Sequence, residues 1–285
     1  MTVETFFANF GHLADAPNGV QKLRELILQL AVQGKLVPQD PNDESASYLI
    51  QTVQVGDASL LVGETAPFTL PASWLWVRLG GISVIERGGS PRPIKDFITD
   101  DPDGLNWIKI GDTDIGGKYI STTKEKIRRE GLKKTRMVYP GDFLLTNSMS
   151  FGRPYITKIE GCIHDGWLRI HPPEILDKDY LYNLLSSPYV FAFFKGAAAG
   201  AVVSNLNTDK VRELPIPIPP LEEQKRIVAK VDQLMALCDE LEARQQKQQQ
   251  GRVRLNNAAL EALLTAREPD EFADHWQRIS TNFDL

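Results

Sequence analysis

The chain has 285 residues, 42% of them hydrophobic, which suits a globular protein with a sizeable core and excludes a disordered one. Its formal net charge is −5, with 37 acidic against 32 basic side chains, so a uniformly basic nucleic-acid coat is excluded as well. The two cysteines, Cys162 and Cys238, stand far apart with no Cys/His spacing around them, which leaves neither a disulfide framework nor a metal site. Acids occupy the start of the chain where a secretory leader needs bases, and no run reaches the roughly 18 apolar residues of a membrane span. The expectation is a cytoplasmic chain with no membrane contact.

Residues 1–70 open with Val20, Leu23, Ile27 and Leu30 at three- and four-residue spacing, which predicts an amphipathic helix that Asn18 starts and Gly34 ends. VPQDPNDESAS then supplies turn formers, and Gly56, Gly63 and Pro67 interrupt residues 51–70, so the rest of this segment reads as a surface connection.

From Trp74 the texture changes to short apolar or alternating runs divided by glycine and proline: WLWVRLGGISVIERGG, NWIKIGDTDIGGKYI, DFLLTNSMSFGRPYITKI and CIHDGWLRI. One helix-like stretch, DYLYNLLSSPYVFAFFK, interrupts them. Residues 71–220 therefore form a mixed α/β domain in which Trp74, Trp76, Trp107, His164 and Trp167 read as core. The prolines of LPIPIPP, which starts at Leu214, then impose an extended strap.

Residues 221–285 begin as one long helix, from LEEQKRIVAKVD to ALEALLTA, on the order of 65 Å at 1.5 Å per residue. Glu222 and Glu223 suit its first turn. Ile227, Val231, Leu234, Cys238 and Leu241 follow a four-three seam that must pack along another helix, from this chain, a second copy or another subunit. A tail completes the chain. The expected fold class is thus α+β: a mixed α/β domain joined to a coiled-coil-like helix, with an N-terminal helical segment.

The charges are unevenly spread. Residues 71–220 carry 20 basic and 17 acidic side chains, a net of +3, and the remainder a net of −8. Within 124–136, Lys124, Lys126, Arg128, Arg129, Lys133, Lys134 and Arg136 face only Glu125 and Glu130, a cluster able to neutralise several phosphates or to serve as a solvated face. Lys118, after two glycines, is a further candidate for a backbone contact. Two loops combine cations with small polar groups, as duplex recognition demands. In the first, Arg87, Ser90 and Arg92 are set among Gly88 and Gly89, whose lack of side chains would let DNA approach. In the second, Asn147 is placed to pair with adenine, Arg153 with guanine, and Ser148 and Ser150 with phosphates. Both also read as ordinary strand-connecting turns.

The segment LPIPIPPLEEQKRIVAKVD closely resembles the one that closes a target-recognition domain in the specificity subunits of Type I restriction-modification systems. LRELILQLAVQGKLVPQDP resembles the N-terminal segment of that family, and GGSPRP, WIKIGD and SFGRPYI sit where its recognition domain has its early loop, strand and central turn. The resemblance implies a subunit without catalysis or cofactor that reads double-stranded DNA and docks methyltransferase and, through the complex, restriction subunits. It also implies that two recognition domains on long spacer helices read a bipartite target. This chain has one such set, and FADHWQRISTNFDL resembles the join to a second copy, so the expectation is a half-subunit or an N-terminal fragment that pairs with a second copy or a second domain. A half-subunit that assembles complexes without reading DNA stays open as an alternative. An enzyme is the weakest reading: GxGxxG, Asn-Pro-Pro-Tyr and GxxxxGK[ST] are absent, His171-Pro172-Pro173-Glu174 has the wrong residues, and Glu223-x-Lys225 lies in a helical heptad.

Overall fold

The structure, a computed structural model, describes residues 5, 8–52, 66–114, 116–147, 152–198 and 206–283. The chain divides into two compact units, one built from Glu25–Asp232 and the other from Glu4–Arg24 with Gln233–Leu285.

In the larger unit the strands are β1 (Leu75–Arg78), β2 (Val84–Arg87), β3 (Ile98–Thr99), β4 (Leu105–Ile108), β5 (Tyr119–Ile120), β6 (Glu125–Ile127), β7 (Arg136–Val138), β8 (Phe143–Thr146), β9 (Pro154–Thr157), β10 (Gly161–Ile163), β11 (Trp167–His171) and β12 (Pro215–Ile218). One five-stranded sheet has the order β2-β11-β8-β9-β5 and a second the order β3-β6-β4-β10-β7, while β1 pairs with β12. Pairing is antiparallel except for β5 with β9 and β4 with β10.

Both sheets contribute to one apolar core, formed by Ile108, Ile120, Val138, Leu144, Tyr155, Ile163 and Trp167. Successive strand residues point to opposite faces, so Trp107 and Cys162, next to Ile108 and Ile163, serve a second core with Leu105 and Ile127. Ile94, Phe97, Ile98 and Met137 cover that second core. Each buried side chain of this size contributes roughly 1.5–3 kcal/mol. Burial pushes the Cys162 thiol up to about 11 and raises that of Cys238 too. Trp74, Trp76, Trp107 and Trp167 are all buried, but His164 is a correction: its side chain keeps 41% exposure, because it sits in the β10–β11 turn and not on a strand.

The helices are α1 (Phe10–Ala14), α2 (Gly19–Val32), α3 (Ala46–Thr52), α4 (Leu79–Ile82), α5 (Lys178–Leu185), α6 (Pro188–Ala198), α7 (Thr208–Arg212), α8 (Leu221–Thr265) and α9 (Pro269–Phe283). Gly34 ends α2 as expected: at φ +67° it lets the Lys35 N–H turn back to the Leu30 carbonyl at 2.9 Å. Asn18 starts the helix with a left-handed φ of +57°. Where turn formers suggested only a connection, α3 forms because Ala46, Leu49 and Ile50 share one buried face. The single helix expected around Asp179 is two, α5 and α6, since Pro188 disfavours helical backbone at Ser187, whose Oγ then accepts from the Val190 N–H at 3.3 Å.

The proline strap is β12. Pro215 and Pro217, opposite Arg78 and Trp76, bring no N–H, but their carbonyls accept from Tyr189 Oη at 2.6 Å and Tyr180 Oη at 2.8 Å. Burial raises both phenols, which keeps them as donors. Immediately afterwards α8 buries two polar residues. Glu223 accepts from Trp74 Nε1 at 2.9 Å and Gln39 Nε2 at 2.6 Å. Gln224 donates to the carbonyls of Ile175 and Pro219 at 3.1 and 3.0 Å and accepts from the Asp177 N–H at 2.8 Å. Arg226 forks onto Asp43 at 3.1 and 2.5 Å. Glu223 is therefore a buried anchor as well as a first-turn acid.

In the smaller unit the long helix finds a partner within this chain. Arg24 of α2 reaches Asp239 at 2.5 Å and Glu242 at 3.1 Å, and Gln245 donates to the Ala14 carbonyl at 2.9 Å. Along the seam Ile227, Val231, Leu234 and Cys238 are buried and Leu241 is half-buried. Where a tail was expected, α9 is helical, with Ile279 buried and Phe272 and Trp276 exposed. No helix among the described residues is long and apolar enough to cross a membrane.

Replacing Gln224 with Ala leaves two buried carbonyls and a buried N–H without that partner and is expected to lower stability by roughly 2–3 kcal/mol in chemical denaturation, against less than about 0.5 for exposed Glu222→Ala. Cys162 and Cys238 are expected to resist a thiol reagent at neutral pH until denaturant is added; rapid labelling of the native chain contradicts their burial.

Candidate nucleic-acid interface

Strand register assembles the two sequence-predicted loops. Arg87 lies opposite Leu168, Thr146 opposite Trp167, and Leu145 opposite Pro154. The segment after β2, the β8–β9 connection and the β10–β11 turn consequently all leave the same end of the first sheet. The turn, His164-Asp165-Gly166, holds them together. Its Asp165 carbonyl accepts from Asn147 Nδ2 at 2.7 Å and from Arg87 Nε at 3.3 Å. The Asp165 carboxylate accepts from Ser90 Oγ at 3.1 Å and lies 3.7 Å from the Arg92 guanidinium. His164 Nδ1 accepts from the Gly166 N–H at 2.9 Å, which leaves Nε2 to donate to Asp165 at 2.9 Å.

Two expectations change with this geometry. Asn147 is only 3% exposed and spends its amide on the Asp165 carbonyl, so it holds the loop in place and does not present the amide to a base edge. Gly88 and Gly89 serve close packing inside the protein: a Cβ would stand 2.3 Å from the His164 carbonyl oxygen at the first and 2.4 Å from the Lys134 carbonyl oxygen at the second. Arg92, by contrast, stays 82% exposed beside its carboxylate, and the half-buried Arg153 side chain lies near Tyr182. Ser148 and Ser150 lie outside the described residues.

The basic run splits. Its end joins the same sheet end, since Thr135 Oγ1 donates to the Ile163 carbonyl at 2.6 Å and Arg136 pairs with Glu86, next to Arg87, at 3.4 Å. Lys133 and Lys134 are exposed there. Lys124 and Lys126 lie on and beside β6, three strands or roughly 14 Å from β7, and donate to the carbonyls of Gly111 and Pro102 at 3.2 and 2.8 Å. Arg128 lines an acid-balanced cleft with Asp101, Asp103 and Glu130.

A sequence model described as the Type I restriction modification DNA specificity domain matches residues 71–249. The chain belongs to this family. As a specificity-domain chain it is similar, at 30% identity over a 304-residue alignment, to the Type I restriction enzyme EcoAI specificity subunit of Escherichia coli, covering 93% of this chain and 48% of that one. The EcoEI specificity subunit of the same organism is 29% identical, with the same coverages. The chain spans about half the length of these relatives. Among solved structures, the HsdS subunit from Thermoanaerobacter tengcongensis aligns over 99% of this chain and 58% of its own, with 21% identity and a TM-score of 0.50, which speaks to the fold alone.

Lys118 of this specificity domain is placed apart from the other candidates. It precedes β5, at the opposite edge of the first sheet from β2, roughly 19 Å across four strand spacings. Its ammonium pairs with Asp179 at 2.5 Å and lies over the Tyr182 ring. Burial draws its pKa down, but the Asp179 hydrogen bond and charge more than reverse this, leaving it above the usual value. Sequence reasoning missed Asp165, whose one signal was the Asp-Gly turn pair in IHDGWL.

Asn147→Ala is expected to cost about 1–2 kcal/mol by removing the shorter of the two donors to the Asp165 carbonyl, and Gly88→Ala about 1–3 kcal/mol by overpacking the turn. Melting temperatures check both, and unchanged values contradict the packing described for this sheet end.

Proposed function

We propose that this chain chooses the DNA site for a Type I restriction-modification complex, reading one half of a bipartite duplex target. The supporting observation is the convergence of three loops at one sheet end, where the Asp165 turn fixes Arg87, Ser90 and Arg92 beside the Arg153 loop. Family membership supports the same reading. Tethered cations fix register on phosphates, and a planar guanidinium such as that of Arg92 or Arg153 suits the paired acceptors of guanine in the major groove. The chain is not itself a catalyst; methyl transfer and cleavage belong to partner subunits in a cytoplasmic assembly. Helix α8, at 45 residues about 68 Å long, acts as the spacer against which the methyltransferase subunits dock, and a second copy or a second recognition domain supplies the other half-site.

Methylome sequencing of cells that express the chain with its methyltransferase subunit is expected to return a defined motif. Exchange of residues 87–93 and 147–153 for a relative's loops is expected to change that motif, and Arg92→Ala or Arg153→Ala to relax one position by roughly 1–3 kcal/mol of discrimination. An unchanged motif after both loops are exchanged overturns the proposal.

A further inference from the structure

Beside this sheet end lies a cleft that joins two of the sequence-predicted cations, Arg87 and Arg136, to Arg212, which the sequence did not single out. It is an open hollow of about 390 Å³ between β2, β7 and α7, lined by Arg87, Arg136, Arg212, Glu86, Asn207 and Asp209. Three guanidinium groups around one hollow repel each other unless an anion is present, so their anchoring is informative. Each is tied by one side to a backbone carbonyl: Arg87 to Asp165 at 3.3 Å, Arg136 to Thr135 at 3.0 Å, and Arg212 to Ile85 at 3.3 Å. These bonds use part of each five-donor fork and leave the remaining N–H groups for a ligand, with little side-chain entropy still to be lost.

The acids in the hollow do not cancel this charge. Glu86 is shared between Arg136 at 3.4 Å and Arg169, which lies outside the lining, at 3.1 Å. Asp209 is 84% exposed and stands 3.8 Å from Arg212. Asn207 spends its Oδ1 on the Lys210 N–H at 2.9 Å. What remains is a preset cationic hollow that shares Arg87 with the reading edge.

We infer that this cleft grips a backbone phosphate of the bound DNA duplex, with Arg212 as a contact from outside the recognition loops. The inference rests on the DNA-reading role proposed above. A phosphate held there belongs to the duplex whose bases face the 87–92 loop, so the cleft sets the register of the duplex without reading sequence. Inorganic phosphate offers the same chemistry, and the test separates the two.

The measurement is the affinity of the complex of this chain with its methyltransferase subunit for a duplex bearing the methylated motif and for an unrelated duplex, over a fourfold range of salt. Arg212→Gln, which keeps the Cβ and Cγ packed against Gly80 and removes the charge, is expected to weaken both duplexes alike. One lost phosphate contact removes about 0.9 from the salt slope, so the wild-type advantage should shrink about 3.5-fold from the lowest to the highest salt. Arg136→Gln should behave the same way, and Arg212→Lys should recover much of the slope because it retains the charge. Melting curves establish that each variant is folded, and Arg136→Gln carries the test if Arg212→Gln is not. Unchanged affinity and slope in the folded glutamine variants overturn the inference. So does a loss confined to motif discrimination, which marks a base contact, or a loss confined to binding of inorganic phosphate. Loop exchange that leaves the motif unaltered removes the DNA-reading role itself, whatever the Arg212 variants do.

Discussion

The turn at His164-Asp165-Gly166 is the constraint on which the candidate interface depends. It is where the chain crosses from β10 in one sheet to β11 in the other, both of which line the shared core through Ile163 and Trp167. A crossing between packed sheets leaves backbone carbonyls that must find donors, and here two side chains from different loops supply them. The same few atoms therefore satisfy the turn, bury Asn147 and aim Arg87. Because Gly88 and Gly89 allow the β2 loop to lie directly on the Ile163–His164 and Lys134 backbone, the loop is held by close packing as well as by charge.

Charge is organised around that packing. The domain has a surplus of only three cations, and two of its acids, Asp142 and Glu86, are taken up in ion pairs. Asp142 is 2% exposed and is satisfied by Arg169 at 2.9 Å, the Tyr139 N–H and His171, while Glu86 is divided between two arginines. Glu86, next to Arg87 and divided between two arginines, offsets the cations of that sheet end less than a lone carboxylate would, whereas Asp142 and His171 serve the opposite end of the sheet.

The other fixed point is the start of α8. A helix of 45 residues has far more solvent-exposed length than apolar stripe, and its first turns are fixed where Glu223, Gln224 and Arg226 enter the larger unit. Tyr180 and Tyr189 prepare that entry by satisfying the carbonyls of a strand whose prolines pair poorly.

Local signals in the sequence determined much of the architecture. Proline and glycine punctuation marked the strands, Gly34 the end of α2, and the four-three seam the single long α8, because each depends on backbone geometry or on a repeat within one element. The EEQ run was legible as a helix start but not as a buried anchor, since the partners of Glu223 and Gln224 come from residues 39, 74 and 175–177, far along the chain. Helix α9 was not expected because its apolar residues come after a polar break. For the candidate site, the clustering of Arg87, Ser90 and Arg92 in one loop was legible in the sequence, whereas the inward turn of Asn147, the service of Gly88 and Gly89 to packing, the isolation of Lys118 and the entry of Arg212 were not. Those outcomes depend on which strands become neighbours and in what register, and register is a property of the paired sheet. The sequence by itself determined which elements and cations exist; the tertiary structure decided which cations face the same hollow, because strand pairing and the crossing at Asp165 set Arg87 and Arg136 side by side while α7 packs Arg212 against β2.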